Sequence, residues 1–161
     1  MAKSKKTIKT NALRELDVLH ISYECTAYES DGFMDGVSVA KMVGKSLEET
    51  YKTLVTVGAS RTNYVFVIPV AKELDLKKAA AVVGEKSVAM IHAKDITPIT
   101  GYVKGGCSPI GMKKQFRTVI HSAALDLNRI TVSAGKLGLQ MTLAPQDLAR
   151  AAGAEFADII H

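Results

Sequence analysis

Short strand-like and helix-like stretches alternate irregularly along this chain, and this alternation constrains its fold most. β-Branched and aromatic residues favour strands at residues 51–57 and 64–70. Similar patterns predict strands at 87–92, 117–121, 129–133 and 139–143, and helices at 12–18, 37–43, 76–83 and 146–152. Several strands are separated only by short connections. We therefore predict a mixed α/β (α+β) fold, with a mixed, mostly antiparallel sheet and helices packed around it, rather than a doubly wound fold.

Capping residues predict where the helices begin and end. Asn11 and Asp75 can accept hydrogen bonds from first-turn amides, and Pro145 suits the first turn of the last helix. Glycine stands where three helices are expected to end, at Gly44, Gly84 and Gly153. Ser46 and Glu49 have the spacing of a capping box, which predicts one helical turn before the strand at 51–57.

The length of 161 residues predicts a single domain, which we place at residues 11–161. Residues 1–10 are lysine-rich and are expected to form a basic, flexible tail. No apolar run follows these lysines, so they do not resemble a secretory signal. No stretch approaches the roughly 18 apolar residues that a membrane helix needs, so we expect no membrane contact.

The cysteines and histidines do not have the spacing of a metal site. Cys25 and Cys107 also form no disulfide framework, which predicts two reduced thiols in the cytoplasm. The histidines are scattered through the chain, at His20, His92, His121 and His161. We therefore expect no metal and no other cofactor.

Positive charge is concentrated in one part of the chain. The net charge is +5, and residues 96–125 contain no Asp or Glu. The same window carries four cations, Lys104, Lys113, Lys114 and Arg117. Such a segment could hold the phosphates of a nucleic acid. A solvated basic loop is an equally good interpretation of the charge alone.

Residues 101–111 are too rich in glycine to form a helix or a central strand. Glycine permits main-chain amides to approach a ligand, so the segment could cradle a phosphate or stabilise an oxyanion. A tight connection between core elements explains the composition slightly better. The residue order matches neither a phosphate-binding loop nor a nucleophile elbow. Cys107 or Ser108 could be a nucleophile assisted by Lys104 or His121, but no sequence feature places a base beside either.

Two further segments have both a structural and a functional interpretation. Lys52 lies near the start of a predicted strand, where lysine usually serves as a solvated edge charge. It could instead be a fixed cation at a pocket rim. Residues 133–138 predict a glycine-punctuated hairpin turn, which would also present the hydroxyl of Ser133.

Taken together, three segments resemble the YbaK family of aminoacyl-tRNA editing proteins, which includes the editing domain of bacterial prolyl-tRNA synthetase. The segments are residues 51–55 (YKTLV), 101–111 (GYVKGGCSPIG) and 132–136 (VSAGK). Residues 144–148 (APQDL) fit the freestanding members. The resemblance covers nearly all of the chain from about residue 11. It implies a sheet curled into a partial barrel, a pocket against that sheet, and cytoplasmic deacylation of mischarged tRNA.

The resemblance also implies roles for particular residues. Lys52 occupies the position of the family's essential lysine, and the catalytic loop is represented by Gly101, Ser108 and Pro109. The implied substrate-binding residues are Tyr28, Thr53, Gly105, Gly106, Ser133 and Gly135. Candidates for contact with the RNA are Lys104, Lys113, Lys114, Arg117 and Lys136.

In family members that act on Cys-tRNA(Pro), the protein supplies no nucleophile. The thiol of the substrate attacks its own ester carbonyl and releases a cyclic thioester. The resemblance implies that loop amides stabilise the oxyanion, and that Lys52 anchors the terminal adenosine or orients the ester. Cys107 lies outside the family motif, so its thiol is expected to be incidental. Prolyl-tRNA synthetase is the implied protein partner.

Other functions remain open at this point. The family often has Lys-Arg-Gly where this chain has Leu137 between Lys136 and Gly138, and residues 30–36 match it poorly. The substrate could therefore be Ala-tRNA(Pro) or another small mischarged species, cleaved by a positioned water. A non-enzymatic module that binds aminoacyl-tRNA or a nucleotide is a further alternative. So is a hydrolase with a covalent intermediate on Cys107 or Ser108.

Overall fold

The computed structural model describes residues 9–29 and 35–161. The helices in these ranges are α1 (Asn11–Val18), α2 (Gly36–Val43), α3 (Leu76–Val83), α4 (Ile96–Thr100) and α5 (Pro145–Ala152). The strands are β1 (Glu24–Ala27), β2 (Tyr51–Gly58), β3 (Asn63–Pro69), β4 (Val88–Met90), β5 (Arg117–His121), β6 (Ile130–Lys136), β7 (Leu139–Leu143) and β8 (Glu155–Ala157). Short 3-10 helices span Ala93–Asp95 and Ser122–Asp126.

The strands divide between two sheets. The smaller sheet has the order β1-β7-β6 and is antiparallel throughout. The larger has the order β4-β2-β3-β5-β8; β2 is antiparallel to both of its neighbours, whereas β3, β5 and β8 run parallel. The predicted mixed fold with packed helices is confirmed. Its strands form two sheets rather than one, and these do not close into a full barrel.

A short bridge joins the two sheets just before β2. Thr50 pairs with Thr131 of β6 in parallel orientation, and the Thr131 amide donates to the carbonyl of Glu49 at 2.8 Å. On its other side, Thr50 accepts a hydrogen bond from the amide of Val70 at 2.9 Å. The start of β2 therefore lies at the junction between the sheets, which accounts for the partial curl expected of the fold.

Strand β3 is the centre of the hydrophobic core, because both of its faces are buried. Val65 and Val67 pack into a cluster with α1, α5 and the smaller sheet. Phe66 and Ile68 point the other way, into a cluster with α3 and the C-terminal segment. This alternation is what period-2 side-chain geometry requires of a strand covered on both sides.

Local capping chemistry sets most helix ends as predicted. Asp75 accepts hydrogen bonds from the amides of Lys77 and Lys78, and α2, α3 and α5 each end at a glycine with positive φ. The cap of α1 was predicted one residue too late. Thr10 accepts from the Leu13 amide at 3.2 Å and also donates to the carbonyl of Ala134.

One other predicted feature needs adjustment. Ser46 accepts from the Glu49 amide at 3.1 Å, but residues 47–49 form a turn and not a helix. Residues 1–8 of the expected tail lie outside the described ranges. At the start of the described ranges, the ammonium of Lys9 is 2.7 Å from a carboxylate oxygen of Asp17, so Lys9 contacts α1. No helix in the described ranges is long and apolar enough to cross a membrane.

Candidate functional site

A cavity of about 510 Å³ lies where the two sheets face each other. Thr50 and the first five residues of β2, 51–55, form one wall. The other walls come from the start of α2, the segment after β4, the glycine-rich loop, and strands β6 and β7. Five of the predicted site residues and one predicted RNA-contact lysine line it: Tyr28, Lys52, Thr53, Gly105, Ser133 and Lys104.

The cavity lies along an open edge of β2. Strand β4 pairs with residues 56–58 of β2, and the amide of Ile91 donates to the carbonyl of Val55. On that side, none of the described strands pairs with residues 51–54. Because main-chain groups alternate in an antiparallel strand, those of Thr53 point to the same side as those of Val55. The main-chain N–H and C=O groups of Thr53 therefore face the side on which the cavity lies.

The side chains of this wall have different environments. Lys52 is half-buried and lies opposite Ile68 in the strand register. The hydroxyl oxygen of Thr53 is buried and has no hydrogen-bond partner among the described residues. Across the cavity, the hydroxyl of Ser133 accepts a hydrogen bond from the amide of Gly135 at 3.1 Å. This contact fixes Ser133 at an irregularity in β6 between residues 133 and 136.

The glycine-rich loop contributes residues 104, 105 and 107 to the cavity wall. Gly101, Gly106, Ser108 and Pro109 do not line the cavity. Tyr102 anchors the loop, because its hydroxyl donates to the carbonyl of Ile110 at 2.6 Å and its ring is buried. Of the loop residues predicted for the site, Gly105 and Lys104 therefore line the cavity, and the other four do not.

Two glycines allow close packing behind the loop. A Cβ on Gly106 would lie 2.9 Å from the main chain of Lys136 and Leu137. Gly135 has φ of +104°, and a Cβ there would lie 2.9 Å from the ring of Tyr102. The loop and the β6–β7 hairpin are thus in direct contact, and both glycines act in packing rather than on the cavity wall.

Cys107 was expected to be incidental, yet it lies on the cavity wall. Its side chain is buried beside Val55 and Tyr102, and this burial raises the pKa of the thiol to about 11. The thiol is therefore protonated at neutral pH, which makes it a poor nucleophile.

Ser108 and His121, which were also proposed for a covalent mechanism, lie elsewhere. Ser108 is fully buried, and its hydroxyl accepts from the amide of Ile110 at 3.4 Å. The Nδ1 atom of His121 accepts from the amide of Ile159 at 3.3 Å, beside the hydrophobic cluster of α3. Neither side chain lines the cavity. Lys104, the other proposed base, lines the cavity together with Cys107. Because burial keeps the Cys107 thiol protonated, the described cavity wall offers no activated nucleophile for a covalent hydrolase.

The predicted RNA-contact cations do not form one surface. Lys113 lies against Gly101, with its ammonium donating to the carbonyl of Pro98 at 3.0 Å, and Lys136 packs its main chain on Gly106. Lys113 and Lys136 therefore contact the glycine-rich loop, to which Lys104 itself belongs. Lys114 lies over the ring of Phe116. Arg117 instead pairs with Glu155 at 2.8 Å and bonds the last carbonyls of α3, so it is held away from the cavity.

Asp35 and Gln140 are two polar lining residues to which the sequence analysis assigned no role. Asp35 caps α2, and hydrogen bonds from Ser38 hold the pKa of its carboxyl below the usual range. Gln140 could have been noticed as a polar residue with a long side chain in a strand that otherwise consists of apolar residues and Thr142. Among residues 9–29 and 35–161, no group of three His, Cys, Asp or Glu side chains is placed to hold a metal ion.

Comparison with known proteins is consistent with this geometry. A family model described as the aminoacyl-tRNA editing domain matches residues 34–151. EbsC of Enterococcus faecalis, named as a candidate Cys-tRNA(Pro)/Cys-tRNA(Cys) deacylase, is 45% identical over 162 residues, covering 99% of this chain and 98% of that protein.

Solved structures share the fold at lower identity. One, named as a candidate trans-editing enzyme for prolyl tRNA synthetase, superposes with a TM-score of 0.81 at 22% identity and covers 96% of this chain and 99% of its own. Another, the hypothetical protein APE2540, superposes with a TM-score of 0.84 at 22% identity, covering 94% and 100%. At these identities the likeness concerns the fold alone.

Proposed function

The chain belongs to the aminoacyl-tRNA editing domain family, and on this premise we propose that it removes cysteine from mischarged Cys-tRNA(Pro) by cleaving the aminoacyl ester. The choice of cysteine is supported by the name of the Enterococcus faecalis relative, which matches over nearly the whole of both chains. The enzyme acts in trans on the aminoacylated 3′ end of the tRNA and needs no metal or other cofactor.

One observation carries the proposal. Lys52 and Thr53 lie at an open strand edge in a cavity of about 510 Å³, across from Ser133 and beside the main chain of Gly105. This volume falls within the usual range of small-ligand sites, roughly 300–1,000 Å³. The cavity thus has room for a small aminoacyl group and part of the terminal adenosine. It offers a cation, hydroxyls and main-chain amides to bind them.

The substrate itself supplies the nucleophile in this mechanism. The cysteinyl sulfur attacks the ester carbonyl carbon, forming a carbon–sulfur bond. The bond from that carbon to the ribose oxygen then breaks. The ribose oxygen takes the proton that the thiol gives up, and water later hydrolyses the cyclic thioester. The cavity folds the cysteinyl group back on itself, while amides of the glycine-rich loop and Lys52 stabilise negative charge on the carbonyl oxygen.

The proposal is tested by release of labelled amino acid from Cys-tRNA(Pro), Ala-tRNA(Pro) and Pro-tRNA(Pro). We expect rapid release of cysteine alone by the wild type, and loss of at least 100-fold in kcat/KM for Lys52→Ala, corresponding to about 2.7 kcal/mol. Lys77→Ala is the matched control, since Lys77 is exposed on α3 and does not line the cavity. Release of none of the three amino acids by the wild type would contradict the proposal. Release of alanine would instead indicate that the enzyme cleaves Ala-tRNA(Pro) with a positioned water.

We further propose that the reaction takes place in the cytoplasm and is assisted by prolyl-tRNA synthetase. The support is indirect: a structure of the same fold is named for trans-editing with that synthetase. At limiting enzyme, added synthetase should accelerate deacylation of Cys-tRNA(Pro). An unchanged rate, measured with synthetase that still aminoacylates tRNA, would count against the partnership while leaving the deacylase activity intact.

A further inference from the structure

Two buried side-chain polar atoms in the described ranges have no hydrogen-bond partner, and both belong to residues of the cavity wall. They are the hydroxyl oxygen of Thr53 and the amide oxygen of Gln140. The two residues come from different sheets. Buried polar groups in folded proteins are nearly always paired, so two unpaired atoms at one cavity call for a ligand as the explanation.

Gln140 is fixed in position by the strands on both sides of it. It lies in the middle strand of the smaller sheet, opposite Thr26 of β1 and Ser133 of β6. Its side chain is 6% exposed. Thr142 lies two residues further along the same strand, on the same face, and its hydroxyl is hydrogen-bonded to that of Thr131 at 2.7 Å. The unpaired state of Gln140 is therefore not a general property of this face of the sheet.

The chemistry of the cavity indicates which part of a ligand Gln140 would bind. The ammonium of Lys52 and the main-chain amides of the glycine-rich loop are donors, which suit a carbonyl oxygen or a phosphate. An amide oxygen is an acceptor and needs a donor from the ligand. In an aminoacyl ester, the α-ammonium group is the donor that carries a positive charge.

We infer that Gln140 binds the α-ammonium group of the aminoacyl ester and so orients the amino acid in the cavity. This inference rests on the proposed function, because it assigns the substrate to the same cavity. The amide oxygen is shielded from solvent in this conformation, so binding requires rotation about the last side-chain torsion, which has a broad energy minimum. The only other carboxylate or amide acceptor of the described wall is Asp35, whose carboxylate already accepts from the amide and hydroxyl of Ser38.

Binding of a non-hydrolysable substrate analogue tests the inference without requiring turnover. The probe is 3′-amino-3′-deoxyadenosine carrying cysteine in amide linkage, compared with its N-acetylated form, which has no ammonium group. By calorimetry, the wild type should bind the free-amine form at least 10-fold more tightly. In Gln140→Leu this preference should fall below 3-fold, and Gln140→Glu should retain it because it keeps an acceptor. The unfolding midpoint of Gln140→Leu should not fall, since an unpaired buried acceptor is removed.

Thr142→Val is the matched control, because it removes a paired hydroxyl from the same strand. It should lower the unfolding midpoint and leave the binding preference unchanged. If Gln140→Leu does not fold, Gln140→Met serves in its place. The inference is overturned if the preference survives in a folded Gln140→Leu or Gln140→Met variant, or if it disappears only in Asp35→Asn. It is also overturned if the wild type shows no preference. Normal analogue binding by a wild type that deacylates no tRNA would support the ammonium site and reject the proposed reaction.

Discussion

Among single residues, Cys107 combines a reactive atom with a position on the cavity wall. Its thiol lies among apolar side chains, and this burial raises the pKa to about 11. A protonated thiol cannot compete with the substrate's own sulfur, which is delivered directly to the carbonyl carbon. Cys107→Ala should therefore keep kcat/KM for Cys-tRNA(Pro) within about threefold of wild type. A dead Cys107→Ala variant that still folds would instead establish a covalent mechanism on this residue.

His121 is expected to contribute to the response of the protein's stability to acid. Its pKa is lowered because burial disfavours the charged form, although Asp158 and its negative charge act in the opposite direction. In the folded state its Nδ1 atom accepts from the amide of Ile159, and protonation of Nδ1 removes this acceptor. The unfolded chain takes up a proton at the ordinary histidine pKa of about 6.5, before the folded protein does.

It follows that the wild type should lose stability as pH falls below about 6.5 through the lower pKa of the folded state. His121→Gln retains an acceptor but cannot titrate, so it should lose less stability over the same pH interval. Urea unfolding of both proteins at pH 7, 6 and 5 measures the difference. Identical losses in the two proteins would show that His121 does not control the acid response.

At the scale of elements, the glycine-rich loop, which contributes to the cavity wall, packs directly against the β6–β7 hairpin. In Gly106→Ala the new Cβ would lie 2.9 Å from the main chain of Lys136 and Leu137, so one of the two segments must move. We expect kcat/KM for Cys-tRNA(Pro) to fall at least 10-fold. Gly84→Ala is the control: its Cβ meets nothing within 4 Å, and its φ of +76° should cost about 1 kcal/mol of stability without affecting the site. Equal activity of both variants would contradict the role given to this contact.

The elements that were predicted correctly are those specified by local chemistry. Helix α3 begins after Asp75 and ends before Gly84, as expected from a side-chain cap and a left-handed glycine. The elements that were missed lack such signals. Strand β1 is largely exposed and has no alternating pattern, and α4 consists of Ile-Thr-Pro-Ile-Thr, which has poor intrinsic helix propensity. Tertiary contacts stabilise both.

The sequence predicted the site residues that belong to recognisable motifs. It missed those that join the site only through their position in the fold. Lys52 and Ser133 belong to segments recognisable in the sequence, and both line the cavity. Gln140 and Cys107 acquire their place only when the two sheets meet, because the relevant neighbours are distant in sequence. The parallel pairing of β3 with β5 likewise depends on long-range contacts that no local pattern specifies.

For the whole molecule, the arrangement of cations predicts which part of the substrate each one serves. Lys52 lines the cavity, whereas the exposed Lys113 and Lys136 lie behind the glycine-rich loop, outside the cavity wall. The net charge of +5 favours a polyanion in general, but only cations near the cavity can contact phosphates while the 3′ end is bound. We therefore propose that Lys113 and Lys136 contact the tRNA backbone and not the aminoacyl group.

The double variant Lys113→Ala/Lys136→Ala should raise KM for Cys-tRNA(Pro) about 10-fold while leaving cleavage of cysteinyl-adenosine unchanged, because the small substrate lacks the backbone phosphates. For each phosphate that the variant no longer neutralises, the slope of log(kcat/KM) against log of the salt concentration should become shallower by about 0.7–0.9. Lys77→Ala, which removes an exposed cation from α3, should change neither quantity. Equal losses on both substrates would place these lysines in the chemistry of the cavity. An unchanged salt slope would mean that the tRNA approaches the cavity from a different side.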